Sequence, residues 1–169
     1  MDAKRAIDCT AMDKVPMTPE SHAAITLEVQ HLKQVERPKI SKEIGVAREH
    51  GDLRENAEYH AAKDKQGHIE ARIAYLEDKI ARAEVIDPTT FSGTKIKFGA
   101  YVRLEDGESG KKVRYRIVGP EEADLKKGTI SVTSPIARAL IGRGAGDEVT
   151  VHAPGGERVY EIKEVAWSE

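Results

Sequence analysis

The chain has 169 residues, of which 33% are charged and 39% hydrophobic, and its formal net charge is −2. The scarcity of apolar residues excludes a single compact core of ordinary composition and favours an extended protein with much exposed helix. The balanced charge excludes a protein that grips nucleic acid by bulk charge. No apolar run reaches the roughly 18 residues of a membrane span, so we expect no membrane partner. The single cysteine, Cys9, excludes an intrachain disulfide and indicates a reducing, cytoplasmic location.

Three segments follow one another along the chain. Residues 1–15 match no pattern and are predicted to form a disordered extension. Residues 16–88 are predicted to form a helical hairpin domain, and residues 89–169 a small domain of strands. The boundary between them lies in a turn-rich stretch, DPTTFSG, at residues 87–93.

The hairpin domain is predicted from steps of three and four residues between apolar positions. In its second half this seam consists of Tyr59, Ala62, Gln66, Ile69, Ile73, Leu76, Ile80 and Ala83. In its first half the same steps relate Ile25, Val29 and Leu32, and then Ile40, Ile44 and Ala47. Such steps are typical of a helix packed along one partner. Pro38 predicts a kink or brief discontinuity, and Gly51 separates two arms of about 30 residues, which would each reach on the order of 45 Å.

The last segment alternates apolar and polar residues in short runs. We predict strands over residues 96–104, 112–118, 129–133, 148–152 and 158–165. A short helix is expected over residues 136–141, with Ser134 as its cap and Pro135 at its first position. The chain is therefore predicted to be an α+β protein.

Two carboxylates, Asp52 and Glu55, lie three residues apart at the predicted hairpin tip. One interpretation is a capping box, in which both stabilise the start of the second helix. The other is a site for a hard cation such as Mg²⁺ or Mn²⁺. Two carboxylates are too few for a complete magnesium site, so the remaining ligands would have to come from a partner or a substrate.

The tip resembles a known family. Residues 47–63 read AREHGDLRENAEYHAAK, residues 134–142 read SPIARALIG, and residues 154–156 read PGG. In this order they are similar to motifs of the bacterial Gre transcript-cleavage factors, a family of transcription elongation factors, and most similar to the GreA type. The resemblance covers about residues 16–166.

The resemblance implies an antiparallel coiled-coil hairpin followed by a small α+β domain similar to FK506-binding proteins. Gre factors bind bacterial RNA polymerase and insert the hairpin into its secondary channel. There they stimulate the polymerase's own active centre to cleave the extruded RNA 3′ end of a backtracked complex. The family's two acidic tip residues match Asp52 and Glu55, which are expected to support a Mg²⁺ ion shared with the polymerase.

The resemblance assigns further residues. Arg48 and Lys63 match a basic patch that contacts the extruded RNA, although a solvated helix face explains them equally well. The region that docks on the β′ rim coiled coil of the polymerase matches Ser134, Pro135, Ile136 and Arg138. The chain is expected to be a monomer that has no nuclease site of its own.

Two rival functions stay open. A relative of the same fold would occupy the polymerase channel and inhibit transcription, although the intact tip motif argues against it. A coiled-coil adaptor or chaperone would use Asp52 and Glu55 only to cap a helix.

Overall fold

The computed structural model describes residues 13–168. The chain divides into two compact units, one of them formed by residues 22–82 and the other by the residues on either side of that segment. The helical unit is thus shorter at both ends than the predicted domain 16–88. The predicted extension lies mostly outside the described residues, as does Cys9, but Val15 already belongs to the first strand.

The helical unit is a hairpin with two arms. The first arm comprises α1 (Pro19–His31), a π-helical turn (Leu32–Glu36) and α2 (Arg37–Arg48), and the second arm is α3 (Ala57–Ala81). The buried side chains between α2 and α3 are Ile40, Ile44, Ala62, Ile69 and Ile73. The predicted seam is therefore confirmed along α3, except that Ala83 lies beyond the helix in a strand. No helix within residues 13–168 is long and apolar enough to cross a membrane.

Ion pairs across the arms show that the arms are antiparallel. Arg37 Nε lies 2.7 Å from Glu70 Oε1, and Lys65 Nζ lies 3.6 Å from Glu43 Oε2, so that the residue number falls on one arm as it rises on the other. Hydrogen bonds from Arg37 lower the pKa of the Glu70 carboxyl below its ordinary value. These exposed pairs contribute little to stability, and burial of the apolar seam supplies most of it.

The first arm changes its helical winding before Pro38. In the π-helical turn the Arg37 N–H donates to the Leu32 carbonyl, five residues back. Pro38 lacks an N–H and cannot donate to the carbonyl four residues before it. The predicted discontinuity is thus confirmed, as a wide turn within a helical arm. If the steps of four and three continued from Leu32, residue 39 would lie in the seam. The buried residue is instead Ile40, one position later.

Two short strands lead into and out of the helical arms. β1 (Val15–Met17) pairs in parallel with β2 (Ala83–Val85). The Glu122 carboxylate fixes the end of β1, because its oxygens accept hydrogen bonds from the Thr18 hydroxyl, the Thr18 N–H at 3.2 Å and the Gly119 N–H at 3.0 Å. A Cβ at Gly119 would lie 2.1 Å from the Pro16 carbonyl oxygen, so only glycine permits this approach.

The second unit is built on a five-stranded sheet. Its remaining elements are β3 (Tyr101–Asp106), β4 (Lys112–Val118), β5 (Thr129–Ser131), α4 (Pro135–Leu140), β6 (Glu148–Ala153) and β7 (Gly156–Ala166). The strand order is β5-β4-β3-β7-β6, and all neighbours are antiparallel except β4 and β5. Fully buried residues on the core face of the sheet include Val102, Leu104, Ile117 and Ile162, and Leu140 of α4 packs in the same core. An α+β protein with a helical hairpin and a small sheet unit is thus confirmed.

One predicted strand begins later than expected. Residues 96–100 form no strand, and β3 begins at Tyr101. Gly99 has a φ of 85° and packs so tightly that a Cβ there would lie 2.3 Å from Pro88 Cβ. The chain turns at this glycine, and the extended conformation starts only after it.

Candidate functional site

The tip turn comprises residues 49–56, which connect α2 to α3. The first arm ends where the Glu49 and His50 N–H groups donate to the carbonyls of Val46 and Ala47, at 3.1 and 3.2 Å. Gly51 then takes a φ of 116°, which L side chains rarely adopt, and this allows the chain to reverse. All tip residues are exposed except Asn56, which is half-buried.

Asn56 fixes the tip to both arms. Its Oδ1 accepts a hydrogen bond from the Tyr59 N–H at 3.0 Å, which caps α3, and its Nδ2 donates to the Ala47 carbonyl of α2 at 2.5 Å. This corrects the capping box suggested for Asp52 and Glu55, because α3 begins at Ala57 and its cap is Asn56. The two acids are therefore not needed to start the helix.

The acidic pair at the tip keeps most of its oxygens free. Asp52 Oδ1 accepts a hydrogen bond from the Arg54 N–H at 3.0 Å, which stabilises the turn. The other Asp52 oxygen and both oxygens of Glu55 accept no hydrogen bond from the residues described. Both side chains line an open depression of ≈ 420 Å³, together with His50 and Glu58. The turn thus presents carboxylates whose acceptor capacity is largely unused.

Carboxylate oxygens are the ligands that hard divalent cations prefer. Within residues 13–168, no group of three or more His, Cys, Asp or Glu side chains is arranged to hold a metal ion. A metal ion at Asp52 and Glu55 would therefore need ligands in addition to the side chains described.

The two basic residues assigned to the RNA patch lie close to the tip. Both are exposed. The Arg48 guanidinium lies 5.9 Å from the centroid of the Tyr59 ring, so an aromatic contact orients it. Lys63 Nζ donates to Gln66 Oε1 at 2.9 Å. Neither forms an ion pair with a described carboxylate, so both charges are available to an anion.

The second assigned surface lies on α4. Ser134 Oγ accepts a hydrogen bond from the Ala137 N–H at 3.3 Å, and Pro135 occupies the first turn, as predicted. Pro135 and Arg138 are exposed and Ile136 is half-buried. Pro135 and Ile136 line an open depression of ≈ 390 Å³, whose other residues come from β6, β7 and the turn between them: Val151, Ala153, Pro154, Gly155, Gly156, Arg158 and Tyr160.

Comparisons with known proteins identify the family. Residues 15–85 match a family described as "Transcription elongation factor, N-terminal", and residues 92–166 match one described as "Transcription elongation factor, GreA/GreB, C-term". The chain is 63% identical over 158 residues to the transcription elongation factor GreA of Anaeromyxobacter sp. (strain K), with 94% of this chain and 95% of that relative covered. The chain belongs to the GreA/GreB family of transcription elongation factors.

Further relatives have the same description. GreA of Phenylobacterium zucineum (strain HLK1) is 56% identical over 156 residues, which cover 92% of this chain and 99% of that relative. Among solved structures, GreA factor homolog 1 of Thermus thermophilus is 28% identical, covers 90% of this chain and 99% of its own, and has a TM-score of 0.42. The family models and the GreA relatives confirm the family resemblance seen in the sequence motifs.

Some residues in or beside the candidate sites of this GreA/GreB chain could not be predicted from the sequence. Asn56 was not recognised as the cap, although asparagine is among the strongest N-cap residues. Val151 and Tyr160 were assigned only to strands, and no sequence signal shows that they lie beside α4. The alternation of basic and apolar residues in β4 was used only to predict a strand.

Proposed function

We propose that the chain binds bacterial RNA polymerase, inserts its hairpin into the secondary channel and stimulates Mg²⁺-dependent cleavage of backtracked RNA, which rescues arrested complexes. The observation that carries this proposal is the free acceptor capacity of Asp52 and Glu55 at the end of the helical arms. A structural role would use those oxygens for hydrogen bonds within the chain, and the capping role belongs to Asn56.

The acidic pair completes a site that neither protein holds alone. Asp52 and Glu55 would hold, together with ligands of the polymerase active centre, the second Mg²⁺ of a two-metal site, in which one ion activates the attacking water and the other stabilises the leaving oxygen. The Glu55 oxygens accept no hydrogen bond from the described residues, so one of them would accept a hydrogen bond from that water and fix its direction of attack. Asp52 is held by the Arg54 N–H, so one of its oxygens keeps a defined direction.

Basic residues beside the tip position the substrate. Arg48, oriented by Tyr59, and Lys63 contact phosphates of the extruded RNA 3′ end. Such contacts hold the strand without reading its sequence. The reaction itself is carried out by the polymerase, so the chain is a stimulating factor without a nuclease activity of its own.

Docking is assigned to the exposed side of α4. Ser134, Pro135, Ile136 and Arg138 would contact the β′ rim coiled coil of the polymerase. The depression beside Pro135 and Ile136 supports this assignment, because it offers an apolar recess next to the basic side chain of Arg158. We infer that the factor acts as a monomer in the cytoplasm, where its polymerase partner is found.

A stalled, backtracked complex of purified bacterial RNA polymerase with labelled RNA tests the proposal. The wild-type chain is expected to shorten the RNA when Mg²⁺ is present. The double variant Asp52→Asn/Glu55→Gln should lose this stimulation by a factor on the order of 100 and still compete with the wild type for the polymerase. Glu49→Gln removes an exposed acid of the same turn and should cleave like the wild type.

Each rival function has its own outcome. A double variant as active as the wild type would show that the acids do not act on the metal. A wild-type chain that slows elongation without cleavage would be a channel inhibitor. A chain that does not bind polymerase at all would be an adaptor or chaperone.

A further inference from the structure

The outer face of the five-stranded sheet carries a basic and aromatic cluster that the proposed function does not use. Tyr101 pairs with Arg116 across β3 and β4, and Arg103 pairs with Arg114. Their neighbours along the strands are buried in the core, so these four side chains share the opposite face. We call this cluster the Tyr101 patch, and it consists of Tyr101, Arg103, Arg114, Arg116 and Lys127.

Two guanidinium groups of the patch share one aromatic ring. The Arg114 and Arg116 Cζ atoms lie 4.8 and 5.1 Å from the centroid of the Tyr101 ring. Neither group forms an ion pair with a carboxylate of the described residues, so two like charges lie close together and no direct ion pair neutralises either of them. An anion between them would relieve this repulsion.

Arg116 also has an unsatisfied donor. Its Nε is buried and has no hydrogen-bond partner within the described part of the chain. A buried N–H without an acceptor is destabilising, and such groups are rare unless they serve a ligand or a partner. This observation is independent of the charge and likewise indicates a missing acceptor.

The patch borders two open depressions that have Tyr101 and Arg114 in common. The smaller, of ≈ 180 Å³, is also lined by Arg116 and Lys127, and the larger, of ≈ 330 Å³, by Arg103. Arginine binds carboxylates and phosphates through two parallel hydrogen bonds, because its planar guanidinium matches two oxygens of either group. The smaller depression therefore has the shape and donors to receive an anionic side chain.

Charges around the patch favour a carboxylate of a protein over the phosphates of a nucleic acid. Arg103 Nη1 lies 3.0 Å from Glu164 Oε2, and the Glu164 carboxylate lines the larger depression together with Tyr101 and Arg114. A nucleic-acid backbone is uniformly negative and would place phosphates against this carboxylate, and the whole chain has a net charge of −2. A protein segment can place a carboxylate on the arginines and a different side chain beside Glu164. We propose that the Tyr101 patch binds an acidic segment of a protein partner, with a carboxylate between Arg114 and Arg116.

A synthetic peptide tests this proposal with the full chain. Fluorescence anisotropy of a labelled peptide in which glutamate alternates with serine should show saturable binding at low ionic strength. Arg114→Gln/Arg116→Gln should weaken it about tenfold, because charge-assisted hydrogen bonds are lost. The control Lys95→Gln/Lys111→Gln removes as much charge from two exposed loop positions outside the patch and should change the affinity less than about twofold.

Other results would overturn the proposal. It is wrong if the wild type does not bind the peptide, or if both double variants bind it equally. An oligonucleotide of equal charge that binds through Arg114 and Arg116 more tightly than the peptide would assign the patch to nucleic acid instead.

A second variant covers the case in which the glutamine pair does not fold. Arg114→Lys/Arg116→Lys keeps the charge and loses the bidentate hydrogen bonding, so we expect the affinity for the peptide to fall about threefold. Unchanged affinity in this variant would contradict recognition by the guanidinium groups. Because the patch is tested by peptide binding and the tip by RNA cleavage, failure of one proposal leaves the other intact.

Discussion

Acidic residues at the hairpin tip and in the sheet unit use their oxygens in opposite ways. In the sheet unit, Asp106 Oδ1 accepts hydrogen bonds from the Glu108 and Ser109 N–H groups, both at 2.9 Å, and Glu122 accepts bonds at both of its oxygens. At the tip, Asp52 accepts one hydrogen bond and Glu55 none from the described residues. Carboxylates whose oxygens are occupied stabilise the chain, whereas carboxylates with free oxygens are available to a metal ion or a partner.

The largest effect predicted from this comparison is on catalysis. Glu55→Gln should reduce stimulated RNA cleavage by a factor on the order of 100, because it removes the charge of a proposed metal ligand. The Glu55 carboxylate forms no hydrogen bond or ion pair with the residues that the structure describes. The variant's free energy of unfolding should therefore change by less than about 0.5 kcal/mol. Parallel cleavage assays and urea titrations would measure both. A clear loss of stability would show that Glu55 has a structural role.

The next effect concerns the stability of the sheet unit. Glu122→Ala removes the acceptor of three hydrogen bonds from Thr18 and Gly119 and should cost about 2 kcal/mol. Trp167 donates to the Gly93 carbonyl at 3.0 Å, and its fluorescence should report unfolding of this unit. Glu108→Ala removes an exposed acid of the same unit and is the control. Equal stability of the two variants would contradict a structural role of Glu122.

A smaller effect is expected at Asn56, which lies in the tip but acts structurally. Asn56→Ala removes the cap of α3 and the bond to the Ala47 carbonyl and should cost about 1–2 kcal/mol. Asn56→Ser keeps a capping oxygen and loses only the bond to α2, so it should cost less. Urea unfolding followed by far-ultraviolet circular dichroism would rank the variants. If serine is no better than alanine, the cap is not the stabilising contact.

The smallest effect is a pH dependence at Asp106. Backbone hydrogen bonds from Ser109 and Glu108 lower the pKa of its carboxyl below the ordinary value of 3.8. Its contribution is therefore complete above pH 3.8 and is lost as the pH falls through the lower folded-state pKa. On acidification the melting temperature of Asp106→Asn should fall less than that of the wild type. Equal falls in melting temperature for the two proteins would show that Asp106 does not contribute to the acid sensitivity.

The helical seam was predictable because burial along one partner repeats with a fixed period. Ile69, Ile73 and Leu76 were all placed correctly from their spacing. The tip acids were found because their motif and position at a helix break were visible in the sequence. The sequence did not show that the two acids do not cap α3, since Asp and Asn are both good N-cap residues. Which of Asp52 and Asn56 caps the helix depends on where the Ala47 carbonyl lies.

Features that depend on distant contacts were missed. Strand β1 has only three residues, and it is held by β2 and by Glu122, both far away in sequence. The turn at Gly99 delays the start of β3, and Pro88 packs against this glycine; no local sequence pattern shows that contact. The Tyr101 patch required knowledge of which residues of β3 and β4 are paired.

The π-helical turn before Pro38 has a consequence for insertions. Its i to i−5 hydrogen bond from Arg37 to Leu32 accommodates one residue more than an α-helical turn does. That extra residue matches the one-position delay between the seam before the turn and Ile40 after it. An inserted residue in a continuous α-helix would rotate every later side chain by about 100° and turn Ile40 and Ile44 away from α3. The π-helical turn thus accommodates one extra residue in the arm, and the apolar side chains after the turn still face α3.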